Sequence, residues 1–199
     1  MKKQRLKFKQ LINKYRSLTY EDEFIDEVLM DLQVEFETYY RLYCVNNDID
    51  IDKLNRDHAE KVGKVFSDSS DLALNIKEKA KESKFDSKYL FRDIAKKLHP
   101  DTLAEGDPRL FEFEEAFKKA SGAIKECKWG DLFDVADHYD IKLSNYDDIN
   151  DSLSEDIERI KEQIEHKKNK YAWVLYECDE DDNCKDNLVK RFLNHLFNI

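Results

Sequence analysis

"AKKLHPDTLAEGDP", Ala95 to Pro108, holds both prolines of a 199-residue chain and one of its four glycines. A lysine-rich helical pattern runs into this stretch and stops. The residue before a proline is pushed out of the helical region and proline has no backbone N–H, so Pro100 ends the helix at His99. Pro108 has the opposite role: behind Gly106 and Asp107 it suits the first position of a new helix, with Asp107 as its N-cap. The stretch therefore predicts two helices joined by a short loop that presents His99, Pro100 and Asp101. With so few breakers elsewhere, a sandwich, a barrel or a glycine-rich phosphate loop lacks raw material, and the chain reads as all-α.

Before the loop, Leu90, Phe91, Ile94, Ala95 and Leu98 share one helical face, while Lys88, Arg92 and Lys96 form an adjoining stripe at i, i+4 and i+8. Beyond it, Leu110, Phe113, Phe117, Ala120 and Ile124 line a second helix that can fold back on the first, ending at Trp129 and Gly130. Asp131 then suits the cap of a short helix with Leu132, Phe133, Val135 and Ala136.

Further out, Thr19 with Glu21, Asp22 and Glu23 suits the start of a long helix, whose Ile25, Leu29, Leu32, Phe36, Tyr39 and Tyr43 make a heptad seam. "NNDIDID" interrupts it, and Ile51, Leu54, Val62 and Val65 suggest a shorter helix ending near the polar "SDSSD". Toward the other end, Leu153, Ile157, Ile160, Ile164, Tyr171 and Val174 repeat the heptad with Lys167 in one seam position, predicting a helix of about 25 residues. The acidic "CDEDDN" breaks it before a last amphipathic helix with Leu188, Val189, Phe192, Leu193 and Leu196. Three segments follow: an N-terminal helical region over 1–68, a central domain over 69–140 and a C-terminal helical hairpin over 141–199. The long helices can pair within the chain or across a dimer, and pairing within the chain is the default.

Charge is unevenly spread. The first twenty residues carry seven Lys or Arg and no acid, leaving 27 basic against 44 acidic side chains in the rest, a body at −17. Phe8, Leu11, Ile12 and Tyr15 fall at helical spacing, so the basic stretch reads as a helix docked on its own acidic body rather than as a nucleic-acid or membrane arm. Nucleic-acid binding through that arm stays a third reading, against which the acidic remainder argues. No apolar run approaches the ~20 residues of a membrane span and no secretory-type apolar stretch follows the basic start, so a cytoplasmic protein is expected. Cys44, Cys127, Cys178 and Cys184 lack C-x-x-C spacing and are expected to remain thiols, with no zinc site and no cofactor. His58, His138, His166 and His195 read as surface or packing residues, and Trp129 and Trp173 as packing anchors.

A basic amphipathic helix ending in His99-Pro100-Asp101, then a loop and an aromatic-lined helix, resembles the J domain of DnaJ-like co-chaperones. The resemblance covers roughly residues 71–127: "YLFRDIAKKLHPD" is similar to the family's second helix and "EEAFKK", Glu114 to Lys119, to part of its third. "KWGDLFDV" and the late "YAWVLYE" look similar to bacterial proteins in which a J-like domain is flanked by helices. The resemblance implies a J-domain-like antiparallel helix pair that docks on a DnaK-type chaperone through His99, Pro100 and Asp101 with Lys88, Arg92, Lys96 and Lys97. Asp101 would pair with a partner arginine, the cations would meet an acidic surface, and the partner's ATP hydrolysis would be stimulated while this chain performs no chemistry itself. The helical flanks would select a client or other protein partner. "SDLALNIK", residues 70–77, falls where the family's first helix carries paired tyrosines and a leucine-glycine, which this stretch lacks. A coiled-coil adaptor whose J-like core serves only as structure is therefore the second reading.

Overall fold

A computed structural model describes residues 2–67, 85–104 and 106–198, apart from the side chains of 60–67. Among these residues run α1 (Lys2–Asn46), α2 (Ile51–Ser67), α3 (Ser87–Leu98), α4 (Leu110–Glu126), α5 (Trp129–His138), α6 (Tyr146–Lys168), α7 (Tyr171–Glu177) and α8 (Asp182–Phe197), with a 3-10 turn at Pro100–Thr102. No strand occurs among the described residues, and the fold is all-α. None of their helices is long and apolar enough to cross a membrane. The expected counterpart of the family's first helix, residues 70–77, lies outside the described residues. Contacts gather the chain into two compact units, Met1–Asp22 with Glu78–Gln163, and Glu23–Lys77 with Ile164–Ile199.

In the first unit, α3, α4 and α5 pack on one another around Leu90, Ile94, Leu98, Ala120, Ala123, Leu132, Phe133 and Ala136, all buried. The first turns of α1 add Phe8, Ile12 and Tyr15, spaced by four and three and also buried. Beside them Lys9 pairs with Asp137 at 2.5 Å, and Arg16 with Asp134 at 2.6 Å and Asp137 at 3.1 Å. The basic stretch is thus a helix docked on acidic residues of its own unit. At the start of α5 no side chain of that helix caps the exposed N–H groups. Buried Asp156 of α6 does so instead, accepting the Gly130 N–H at 2.7 Å. Burial pushes the Asp156 carboxyl above its ordinary range, although Gly130 and Arg159 favour its charge.

In the second unit α1 continues with Ile25, Leu29, Leu32, Phe36 and Cys44 buried. Phe36 meets Phe192 edge-on with ring centroids 4.9 Å apart and stacks on Tyr171 at 5.9 Å, so the heptad face packs within the chain. Cys44, Val189 and Leu193 form a small core ringed by Tyr39, Tyr40 and Tyr43. The Tyr39 hydroxyl donates to Asp186 at 2.8 Å, and burial with that carboxylate pushes it up to about 12. Lys167, the polar member of the C-terminal seam, pairs with Asp26 at 2.7 Å. Trp173 is buried, and in the first unit Trp129 meets Phe85 edge-on at 5.3 Å.

Several expectations are corrected. Thr19 caps nothing: α1 is continuous from Lys2, and the Thr19 hydroxyl donates back to the Tyr15 carbonyl, the ordinary place for a threonine inside a helix. The C-terminal heptad is not one helix, because Lys170 is extended at φ −68° and ψ 144° and separates α6 from α7. Glu126 rather than Trp129 closes α4, with Cys127 left-handed at φ 54°, and Asp131 lies in the first turn of α5 instead of capping it. Helix α4 starts at Leu110, two residues beyond Pro108. Finally, Cys178 and Cys184 are not thiols but a disulfide: the acidic turn after α7 brings their Cα atoms to 5.6 Å, while Cys44 and Cys127 remain free.

Candidate functional site

The candidate site is built on α3. Asp86 starts the helix, its carboxylate accepting the Tyr89 N–H at 2.9 Å. Leu90, Ile94 and Leu98, at i, i+4 and i+8, are buried and seat the helix. Two residues earlier along each turn, Lys88, Arg92 and Lys96 are exposed in the same spacing. Lys96 pairs with Asp93 at 3.3 Å, across a solvent-exposed turn where such a bridge contributes little. Lys97 donates to the Tyr139 carbonyl at the end of α5. Lys88 and Arg92 have no ion-pair partner among the described residues.

His99 ends α3 with φ −63° and ψ 132°, the extended conformation that Pro100 demands. Its N–H still donates to the Ala95 carbonyl at 2.9 Å, and its own carbonyl accepts from the Thr102 hydroxyl at 2.7 Å and the Thr102 N–H at 2.9 Å. The imidazole lies edge-on against Phe117 of α4, with centroids 5.1 Å apart. Its Nδ1 accepts the Asp101 N–H at 3.3 Å and stands 3.5 Å from the Asp101 carboxylate. The ring is thus braced by α4 and in turn orients the 3-10 turn. Asp101 itself points into solvent, its side chain 89% exposed.

The far side of the loop is held differently from the sequence reading. Gly106 takes φ +83°, a left-handed conformation suited to glycine. Asp107 accepts the Arg109 N–H at 2.9 Å and clamps the Arg109 guanidinium at 2.8 and 3.1 Å, which holds its carboxyl down at about 2. Its carboxylate is therefore occupied within the turn rather than over the first turn of α4.

All seven expected docking residues therefore lie on one continuous piece of chain, Lys88 to Asp101. Five of them, Lys88, Arg92, Lys96, Lys97 and Asp101, are exposed, while His99 and Pro100 are half-buried. Sequence reasoning placed Phe117 on an apolar face but not under His99, and it missed Tyr139 as the anchor of Lys97. Neither contact has a local signal, because both are made by residues distant in sequence.

Elsewhere in this unit a cavity of about 600 Å³ is lined by both signs of charge, Lys2, Arg5, Lys9 and Lys142 against Asp137 and Asp140. Among the described residues no three His, Cys, Asp or Glu side chains converge as a metal site requires. Set against protein-family patterns, curated proteins and solved structures, the chain matches none of them.

Proposed function

We propose that this chain is a J-domain-type co-chaperone that docks on a DnaK-type chaperone through the His99–Asp101 turn and the basic face of α3, and stimulates its ATPase. One observation carries the reading: a solvent-pointing Asp101 sits at the end of a helix whose apolar face is buried and whose Lys88 and Arg92 have no ion-pair partner among the described residues. An exposed carboxylate on a braced turn is suited to a charge-assisted hydrogen bond from a guanidinium, and the turn needs no reordering to make it. The free cations steer an acidic partner toward that turn, raising the association rate and fixing orientation. The helical flanks select the client or partner that is brought along.

The test is single-turnover ATP hydrolysis by the cognate chaperone, with and without the full chain. Wild type accelerates the step, and Asp101→Asn weakens that acceleration about tenfold or more, the loss expected for a hydrogen bond to a charged group. The substitution is nearly isosteric at an exposed position, so the fold is retained. No acceleration by wild type, or equal acceleration by the variant, overturns the proposal and leaves the adaptor reading in its place.

A further inference from the structure

Helix α1 in the second compact unit carries exposed apolar side chains of its own. From Glu23 to Asn46, α1 buries Ile25, Leu29, Leu32, Phe36 and Cys44. On its other side Phe24, Met30, Val34, Leu42 and Val45 are 59, 73, 66, 56 and 73% exposed. At about 100° per residue these five fall within an arc of about 120°, over about 30 Å of helix. A surface helix is ordinarily polar on the face opposite its core, so five large apolar side chains exposed there among acidic ones mark an interaction surface.

Charge identifies the occupant. Glu23, Glu27 and Asp31 fall within the same arc, together with Thr38 and Arg41, Glu35 borders it, and none of these four carboxylates has an ion-pair partner among the described residues. Arg41 is the one cation between Glu23 and Asn46, and Glu37 already holds it at 2.8 Å. A second copy of this chain would set unpaired carboxylates against unpaired carboxylates, and an anionic lipid surface would be repelled. We infer that this face of α1 receives a cationic amphipathic helix, whose apolar side chains cover Phe24, Met30, Val34, Leu42 and Val45 while its lysines or arginines reach Glu23, Glu27, Asp31 and Glu35. Recurrent i, i+3, i+4, i+7 anchors are how such helices are read, and the long aliphatic stems of lysine and arginine cover apolar surface while their heads pair. The surface lies outside the chaperone-docking turn and holds whether or not that turn stimulates an ATPase.

The probe is a fluorescein-labelled peptide of three heptads with leucine in the seam and lysine flanking it, beside a scrambled peptide of equal composition. Anisotropy is measured with the full-length chain at about 50 and about 300 mM salt, where screening lengths differ severalfold. The helical peptide saturates the chain, loses affinity at the higher salt, and exceeds the scrambled peptide. Met30→Ser with Val34→Ser weakens it about tenfold, as does Glu27→Lys with Asp31→Lys. All four positions are exposed, and unchanged circular dichroism confirms the fold. No saturable binding, equal binding of the scrambled peptide, or indifference to both double variants overturns the inference. So does sedimentation showing a wild-type dimer that Met30→Ser with Val34→Ser dissociates, which assigns the face to a second copy.

Discussion

The first turns of α1 and the whole of α3 are alike in sequence, each a lysine-rich amphipathic helix seated on the same unit by three buried side chains. They differ in what their cations do. Arg16 bonds both Asp134 and Asp137, and Lys9 adds to Asp137. Asp134 also receives Lys119 from α4 at 2.7 Å. In α3, by contrast, Lys88 and Arg92 are exposed and have no ion-pair partner among the described residues. A basic stripe is therefore held within the fold or left exposed to a partner according to whether the body supplies carboxylates beneath it. Composition alone does not separate the two cases.

The seat of α1 can be broken without touching a charge. An added Cβ at Gly130 would lie 2.1 Å from Tyr15 Cε2, and Tyr15 is 4% exposed, so neither the ring nor the start of α5 has room to yield. Gly130→Ala is expected to destabilise by about 3 kcal/mol, at the upper end of overpacking effects, despite the better helix propensity of alanine. Chemical denaturation of the variant measures this. A loss below about 0.5 kcal/mol would mean that α1 is not seated through Tyr15.

Removing Arg16 is expected to have a smaller effect. Arg16→Ala should destabilise by about 2 kcal/mol, since hydrogen bonds to charged groups contribute roughly 1.5–3 kcal/mol and Lys119 and Lys9 still compensate part of the acid cluster. The pH dependence sharpens the point. Burial opposes ionisation of Asp134, but Lys119 and Arg16 outweigh it, and its carboxyl is held below the ordinary range. The stability this contributes is fully present above the ordinary carboxylate value, near 3.8, and is lost as pH falls through the depressed one. In Arg16→Ala the carboxyl rises toward its ordinary value, so this group contributes less stability above that value and has less to lose on acidification. Denaturation midpoints from pH 5 downward should therefore start lower in the variant and fall less steeply than in wild type, and an equally steep fall would show that Arg16 does not hold the Asp134 carboxyl down.

What was legible in advance follows the same division between local and distant causes. The two faces of α3 and its stop at His99 come from period and from proline, both local, and the structure has them where the residues indicate. Helix limits without a breaker were misread. Glu21, Asp22 and Glu23 behind Thr19 have the composition of a first turn, yet between Lys2 and Asn46 nothing obliges the chain to leave the helix, and it does not. The apolar period likewise runs on through Lys167 to Tyr171 and Val174 although Lys170 leaves the helix, because heptad spacing reports a shared face and not an unbroken backbone. Asp107 and Pro108 announce a helix, but Arg109 competes for the carboxylate and delays the start. The bracing of His99 by Phe117 depends on tertiary placement, and the Cys178–Cys184 bond closes a local turn whose six-residue spacing matches no motif.

The smallest stability effect completes the comparison. Arg92 is exposed on α3 with no carboxylate in reach among the described residues, so Arg92→Ala should change stability by no more than about 0.5 kcal/mol, as surface substitutions do. On the proposed docking its effect belongs to association: a lost steering charge should lower the on-rate for an acidic partner severalfold, and the loss should shrink as salt screens the remaining cations. In the single-turnover assay the variant therefore needs more protein for half-maximal acceleration at low salt, while the maximal rate stays near wild type because Asp101 and its turn are intact. Denaturation of Arg92→Ala and Arg16→Ala side by side then separates the two helices. If Arg92→Ala unfolds as readily as Arg16→Ala, the charge on α3 belongs to the fold after all. If it is stable but needs no more protein for half-maximal acceleration at low salt, the exposed stripe is not the surface the chaperone meets.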